Sequence, residues 1–106
     1  MSTLSIALLA CSLQSGLYLP VEATHDSVCP QKVRVQCGTS GAPLSLRITY
    51  EGDCAGQGPY TYACSSSDQG EITCGAGPIA VTLKDDISYF WENRGYGVRA
   101  MFRLMQ

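Results

Sequence analysis

The chain has 106 residues, with seven Lys and Arg against nine Asp and Glu and a formal net charge of −2. Near-neutral charge with no basic run excludes the electrostatic footprint of nucleic-acid or anionic-membrane binding, so neither is expected as a partner. A single His at position 25 leaves little material for nucleophilic or metal catalysis.

Residues 1–23 read as an export signal. Leu4, Ile6, Ala7, Leu8, Leu9 and Ala10 form a short apolar core, and Val21-Glu22-Ala23 sets small residues three and one before a cut at Thr24. No Lys or Arg precedes that core, and the apolar run is too short and too interrupted to span a bilayer. The competing reading is an amphipathic or core segment of the folded chain. With the cut, residues 24–106 form one secreted, extracellular domain in which disulfides are the default. Cys11 then leaves with the signal, and Cys29, Cys37, Cys54, Cys64 and Cys74 are an odd set. One thiol is left free, or bonded to another chain in a disulfide-linked dimer, or without its partner.

From Ser27 onward the chain reads as strand and turn. Val33, Val35 and Cys37 alternate with Lys32, Arg34 and Gln36, the period of two of a sheet buried on one face. Gly38 to Pro43 breaks the run, and Leu44, Leu46, Ile48 and Tyr50 resume it. "EGDCAGQGP" at 51–59 is a loop by its glycines and proline. Tyr60, Tyr62 and Cys64 form the next strand, with both tyrosines expected in the core, and "SSSDQG" turns the chain into a short strand at Ile72 and Cys74. Ile79, Val81 and Leu83 form another strand, "YFWENRGYG" at 89–97 reads as a loop, and Val98 to Leu104 forms the last strand. Cys-Gly, a turn proline and an alternating run occur twice, at 37–50 and 74–83, but the flanks do not align, as two hairpin entries of one sheet would show. Six or seven short strands without a helical period imply an all-β, antiparallel sandwich or small barrel.

"DDIS" at 85–88, then "GVRAMF" at 97–102, with Cys74-Gly75 and Pro78 upstream, resembles the closing signature of CUB domains. Cys54 stands 20 residues before Cys74 and Cys29 stands 25 before Cys54, gaps similar to those of that family's later cysteines. The resemblance runs from Cys29 to Leu104. It lacks the family's N-terminal segment and first cysteine, adds Cys37 and Cys64, and has Val98 where an aromatic is usual. It implies a disulfide-stabilised jelly-roll sandwich with a Cys54–Cys74 bridge, Cys29 unpaired or intermolecular, and a non-catalytic recognition role. Read without the family, local pairs Cys29–Cys37 and Cys64–Cys74 would serve equally.

The resemblance also implies a calcium site, onto which Glu51 and Asp86 carry over. The Asp expected after Cys54 is replaced by "AGQG", and two carboxylates are few for a hard cation, so no other cofactor is expected. In "YFWENRGYG", Tyr89, Trp91, Arg94 and Tyr96 combine large rigid faces with polar handles, the mixture of binding hot spots, and are the candidate ligand contacts. Asp85 and Asp86, as strand neighbours, would face opposite ways and form no acid–base pair. Lone His25 supports neither a Ser-His nor a Cys-His pair, and the cysteine spacings are too wide for a zinc knuckle. The expected function is therefore non-enzymatic: a secreted module that binds an extracellular protein or glycan. The alternative is a cysteine-stabilised effector, toxin or host-defence protein.

Overall fold

The structure is a computed structural model that describes residues 13–25, 28–37, 45–67, 69 and 71–106. The first 12 residues of the expected export segment and the turn at 38–44 lie outside the described residues. The described residues form eight strands: β1 Gly16–Ala23, β2 Gln31–Gln36, β3 Ser45–Tyr50, β4 Tyr60–Ser66, β5 Ile72–Ala76, β6 Ile79–Asp85, β7 Ser88–Asn93 and β8 Val98–Leu104. Each pairs antiparallel with the next in sequence, and β8 returns to pair with β1, so the sheet closes into a barrel.

The all-β, antiparallel, disulfide-bearing expectation holds at that level, and the sandwich is corrected to a single closed sheet. The physical reason lies in β1. Tyr18 pairs with Leu104 and Ala23 with Ala100, so this segment joins the two edges that a sandwich would leave open. Gly16–Ala23, the end of the expected export segment, is a stave of the barrel in the full chain, with Tyr18 fully buried in its interior. β7 was also not expected as a strand. Its aromatics alternate, with Tyr89 and Trp91 buried and Phe90 only partly so, which is a strand period hidden by three large rings in sequence.

The turns follow local chemistry. Ala76 pairs with Ile79 across Gly77-Pro78, and Gly77, at φ +59°, takes the first central position of a two-residue hairpin, where II′ turns place glycine. Between β6 and β7, the Asp85 carboxylate accepts hydrogen bonds from the Ser88 hydroxyl at 2.7 Å and the Ile87 N–H at 3.0 Å. Those bonds, the Ser88 bond foremost, hold its pKa below the ordinary carboxylate value. "DDIS" is thus a turn motif whose working acid is Asp85.

Inside, Tyr18, Tyr89 and Phe102 stack across β1, β7 and β8, with centroids 4.8 Å apart for the first pair and 5.3 Å for the second. Leu46, Ile48, Val33 and Val81 fill the space opposite. The bridges are Cys29–Cys54 and Cys64–Cys74. The Cys54–Cys74 bridge and the unpaired Cys29 implied by the resemblance are therefore corrected, as is the local Cys29–Cys37 pair. Cys64 and Cys74 sit directly opposite one another on β4 and β5, which brings their side chains together on the interior face. Cys37 is also disulfide-bonded, and no described cysteine is free. The whole chain carries an even six cysteines. The two disulfides are consistent with an extracellular protein.

Two outcomes are expected. A chain beginning at Thr24 loses β1 and with it a cooperative urea transition, which the full chain shows. Burial, with smaller contributions from Asp85 and Asp86, pushes the Tyr18 phenol up to about 12. Since the folded state holds that proton more tightly than the unfolded chain, the stability it contributes is intact below pH 10 and lost between there and about 12. Denaturant unfolding across that range checks it, with Tyr18→Phe expected to reduce the loss but not abolish it, since burial also raises Tyr50, Tyr62 and Tyr89.

Candidate functional site

Antiparallel pairing of neighbours puts the 24–30, 51–59, 77–78 and 94–97 connections at one end of the barrel, the mouth, and the 67–71 and 86–87 connections at the other, the base. The mouth is tied together. Cys29–Cys54 links the 24–30 and 51–59 loops, the Glu51 N–H donates to the Pro30 carbonyl at 3.0 Å, and the Arg94 N–H donates to the Pro78 carbonyl at 2.8 Å. In the 94–97 turn the Asn93 side-chain oxygen accepts from the Gly95 N–H at 3.0 Å, and Gly97 closes the turn at φ +66°.

Within these ties a recess of about 450 Å³ opens into the barrel. Its lining includes Gln31, fully buried, and Trp91, 7 % exposed, with the half-buried Val28, Tyr50, Asn93, Val98 and Cys29–Cys54 bridge and the exposed His25, Gln57 and Tyr96. Among the described residues no Lys, Arg, Asp or Glu lines it.

Polar groups at the bottom are only partly satisfied. The Tyr89 hydroxyl donates to Gln31 Oε1 at 2.7 Å, so the amide oxygen is engaged. Gln31 Nε2 and Trp91 Nε1 are buried and have no hydrogen-bond partner. Burial raises the Tyr89 and Tyr50 phenols above their ordinary pKa, so both stay protonated at neutral pH. A buried donor without an acceptor costs roughly 1–3 kcal/mol.

The expected contact loop is therefore divided. Tyr89 is fully buried and Trp91 nearly so, which corrects their assignment to an exposed loop: they are interior residues of β7, and Tyr89 belongs to the core stack. Arg94 and Tyr96 do lie on an exposed turn, Tyr96 at 82 % exposure and Arg94 beside Glu92 at 3.2 Å. Tyr62 is core as expected, whereas Tyr60 is 47 % exposed. Gln31 was missed. A Gln opening a strand two positions before Val33 carries the inward parity of that strand, and this was the signal available.

The calcium pair is corrected as well. Glu51 follows β3 at the mouth and Asp86 sits in the β6–β7 turn at the base, at opposite ends of the barrel. Among the described residues no group of three or more His, Cys, Asp or Glu could hold a metal ion. No helix among them is long and apolar enough to cross a membrane.

Comparison of the chain with protein-family models, with curated proteins and with solved structures finds no match.

Millimolar calcium is expected to leave the melting temperature unchanged. A rise of several degrees that vanishes in Asp86→Asn would reinstate the metal reading.

Proposed function

We propose that the protein is a secreted, non-catalytic binding module that seats the end of a neutral extracellular glycan in the mouth of the barrel. The observation that carries this is the recess itself: aromatic side chains from Trp91, Tyr50 and Tyr96, amide side chains from Gln31, Gln57 and Asn93, one imidazole from His25 and, among the described residues, no Lys, Arg, Asp or Glu. Aromatic faces pack against the C–H faces of sugar rings, and amides can both donate to and accept from hydroxyls. A small eight-stranded barrel either fills with side chains or holds one small ligand, and a cavity of this size fits the second use.

An extracellular protein is the second reading. It rests on Tyr96 and Arg94, which project from the 94–97 turn as an exposed aromatic and cation beside the recess. A partner inserting one side chain would use the same mouth.

Trp91 is the single tryptophan, so its emission reports the recess directly. Titration with neutral oligosaccharides is expected to shift that emission saturably. Tyr96→Ala removes an exposed ring, and is expected to change stability by no more than about 0.5 kcal/mol while weakening binding several-fold. Binding that is indifferent to Tyr96→Ala, or no response to any neutral glycan, would remove this reading.

A further inference from the structure

The aromatic surface of the mouth continues past the recess, and its extent bears on ligand size, on the premise that the mouth takes a neutral glycan end. Tyr50, the last residue of β3, lines the recess. The Tyr60 ring stands 6.2 Å from it, centroid to centroid, with the planes 71° apart. Tyr60 opens β4 opposite Ile48, two positions before the buried Tyr62, so it carries that strand's inward parity at the mouth end. A ring that only closed the core would be covered, as Tyr62 is at 4 % exposure, whereas Tyr60 is 47 % exposed.

The Tyr60 ring is also held in place. It stacks with Tyr62 at 6.3 Å, with the planes 26° apart. The Gly58 backbone runs beside it, so close that a Cβ there would come within 3.1 Å of the ring, and Gly58 sits at φ +76°, which glycine adopts freely. An aromatic face fixed before binding loses little freedom when a ligand covers it.

We propose that Tyr60 is a second sugar subsite, so that the mouth holds at least two linked rings of a neutral oligosaccharide, one in the recess and the next against Tyr60. The 6.2 Å step from Tyr50 to Tyr60 is on the scale of the step between neighbouring rings of a linked sugar chain. Because an aromatic face packs on the C–H face of a sugar, this subsite selects for chain length more than for sugar identity.

The test is isothermal titration of the full chain with glucose and N-acetylglucosamine oligomers, from the single sugar to the tetramer, with Trp91 emission following the weakest of them. Affinity is expected to rise several-fold, up to about tenfold, as the second or third unit is added, the range that one ring contact supplies. Tyr60→Ala should abolish that rise and leave the affinity for the single sugar unchanged, while Tyr60→Phe should keep it. Tyr60→Leu retains apolar bulk against Tyr50 and Tyr62 but has no flat face. It should lose the rise as alanine does, so a fold weakened by alanine does not hide the result.

A flat length series in the unmodified chain overturns the second subsite and leaves the recess as a glycan site. A rise that survives in both Tyr60→Ala and Tyr60→Leu, or a loss that falls equally on the single sugar, overturns the role given to Tyr60. Binding of no oligomer overturns this subsite and the glycan reading together.

Discussion

The pairing of β1 with β8 is the interaction on which the rest of the structure depends. It joins Tyr18 to Leu104 and Ala23 to Ala100, and so turns a meander with two open edges into a tube. Closure sets β1 and β7 on either side of β8, so Tyr18 lies against Tyr89, and Tyr89 against Phe102, its register partner on β8. Covalent support is set on the other side of the barrel. Cys64–Cys74 ties β4 to β5 and constrains the unfolded chain by roughly 2–4 kcal/mol, a large share for a domain of this size.

Closure also decides where a ligand can enter. Packing is aromatic and dense around Tyr18, Tyr89 and Phe102, and it stops at Gln31 and Trp91, above which the mouth is held open by tied loops. The Tyr89–Gln31 hydrogen bond lies at that boundary and belongs to both regions. It satisfies a phenol of the core and orients an amide of the recess. Gln31 Nε2 and Trp91 Nε1, also buried at this level, have no hydrogen-bond partner.

Much of the sheet was legible because burial on one face imposes a period of two. Val33, Leu46, Ile48, Tyr62, Val81 and Phe102 all point inward as their alternation requires. The two strands that were not read failed for different reasons. β1 carries Leu17, Leu19 and Val21 in alternation with Tyr18 and Pro20, and short apolar stretches of that kind serve export and sheet alike. β7 has three consecutive rings, in which the alternation of burial is invisible until the neighbours are known. Topology was less legible still. Whether eight short strands make two sheets or one tube is decided by the pairing of the first with the last, a contact between residues more than 80 positions apart that no local pattern encodes. The site shared this limit: Arg94 and Tyr96 were visible as a turn, but Gln31 becomes a site residue only when closure brings β2 and β7 around the same recess.

The two bridges differ in what surrounds them. Cys64 and Cys74 are buried on the interior face, whereas Cys29 and Cys54 are only half-buried in the mouth loops. Thiol–disulfide exchange needs an attacking thiolate to reach a sulfur, so a reducing milieu meets the mouth bridge first. Opening it would unclasp the 24–30 loop from the 51–59 loop while the inner staple and the closed sheet persist. The mouth loops and the closed sheet would thus have separate redox lifetimes as far as these two described bridges go: the loops loosen while the sheet stays stapled.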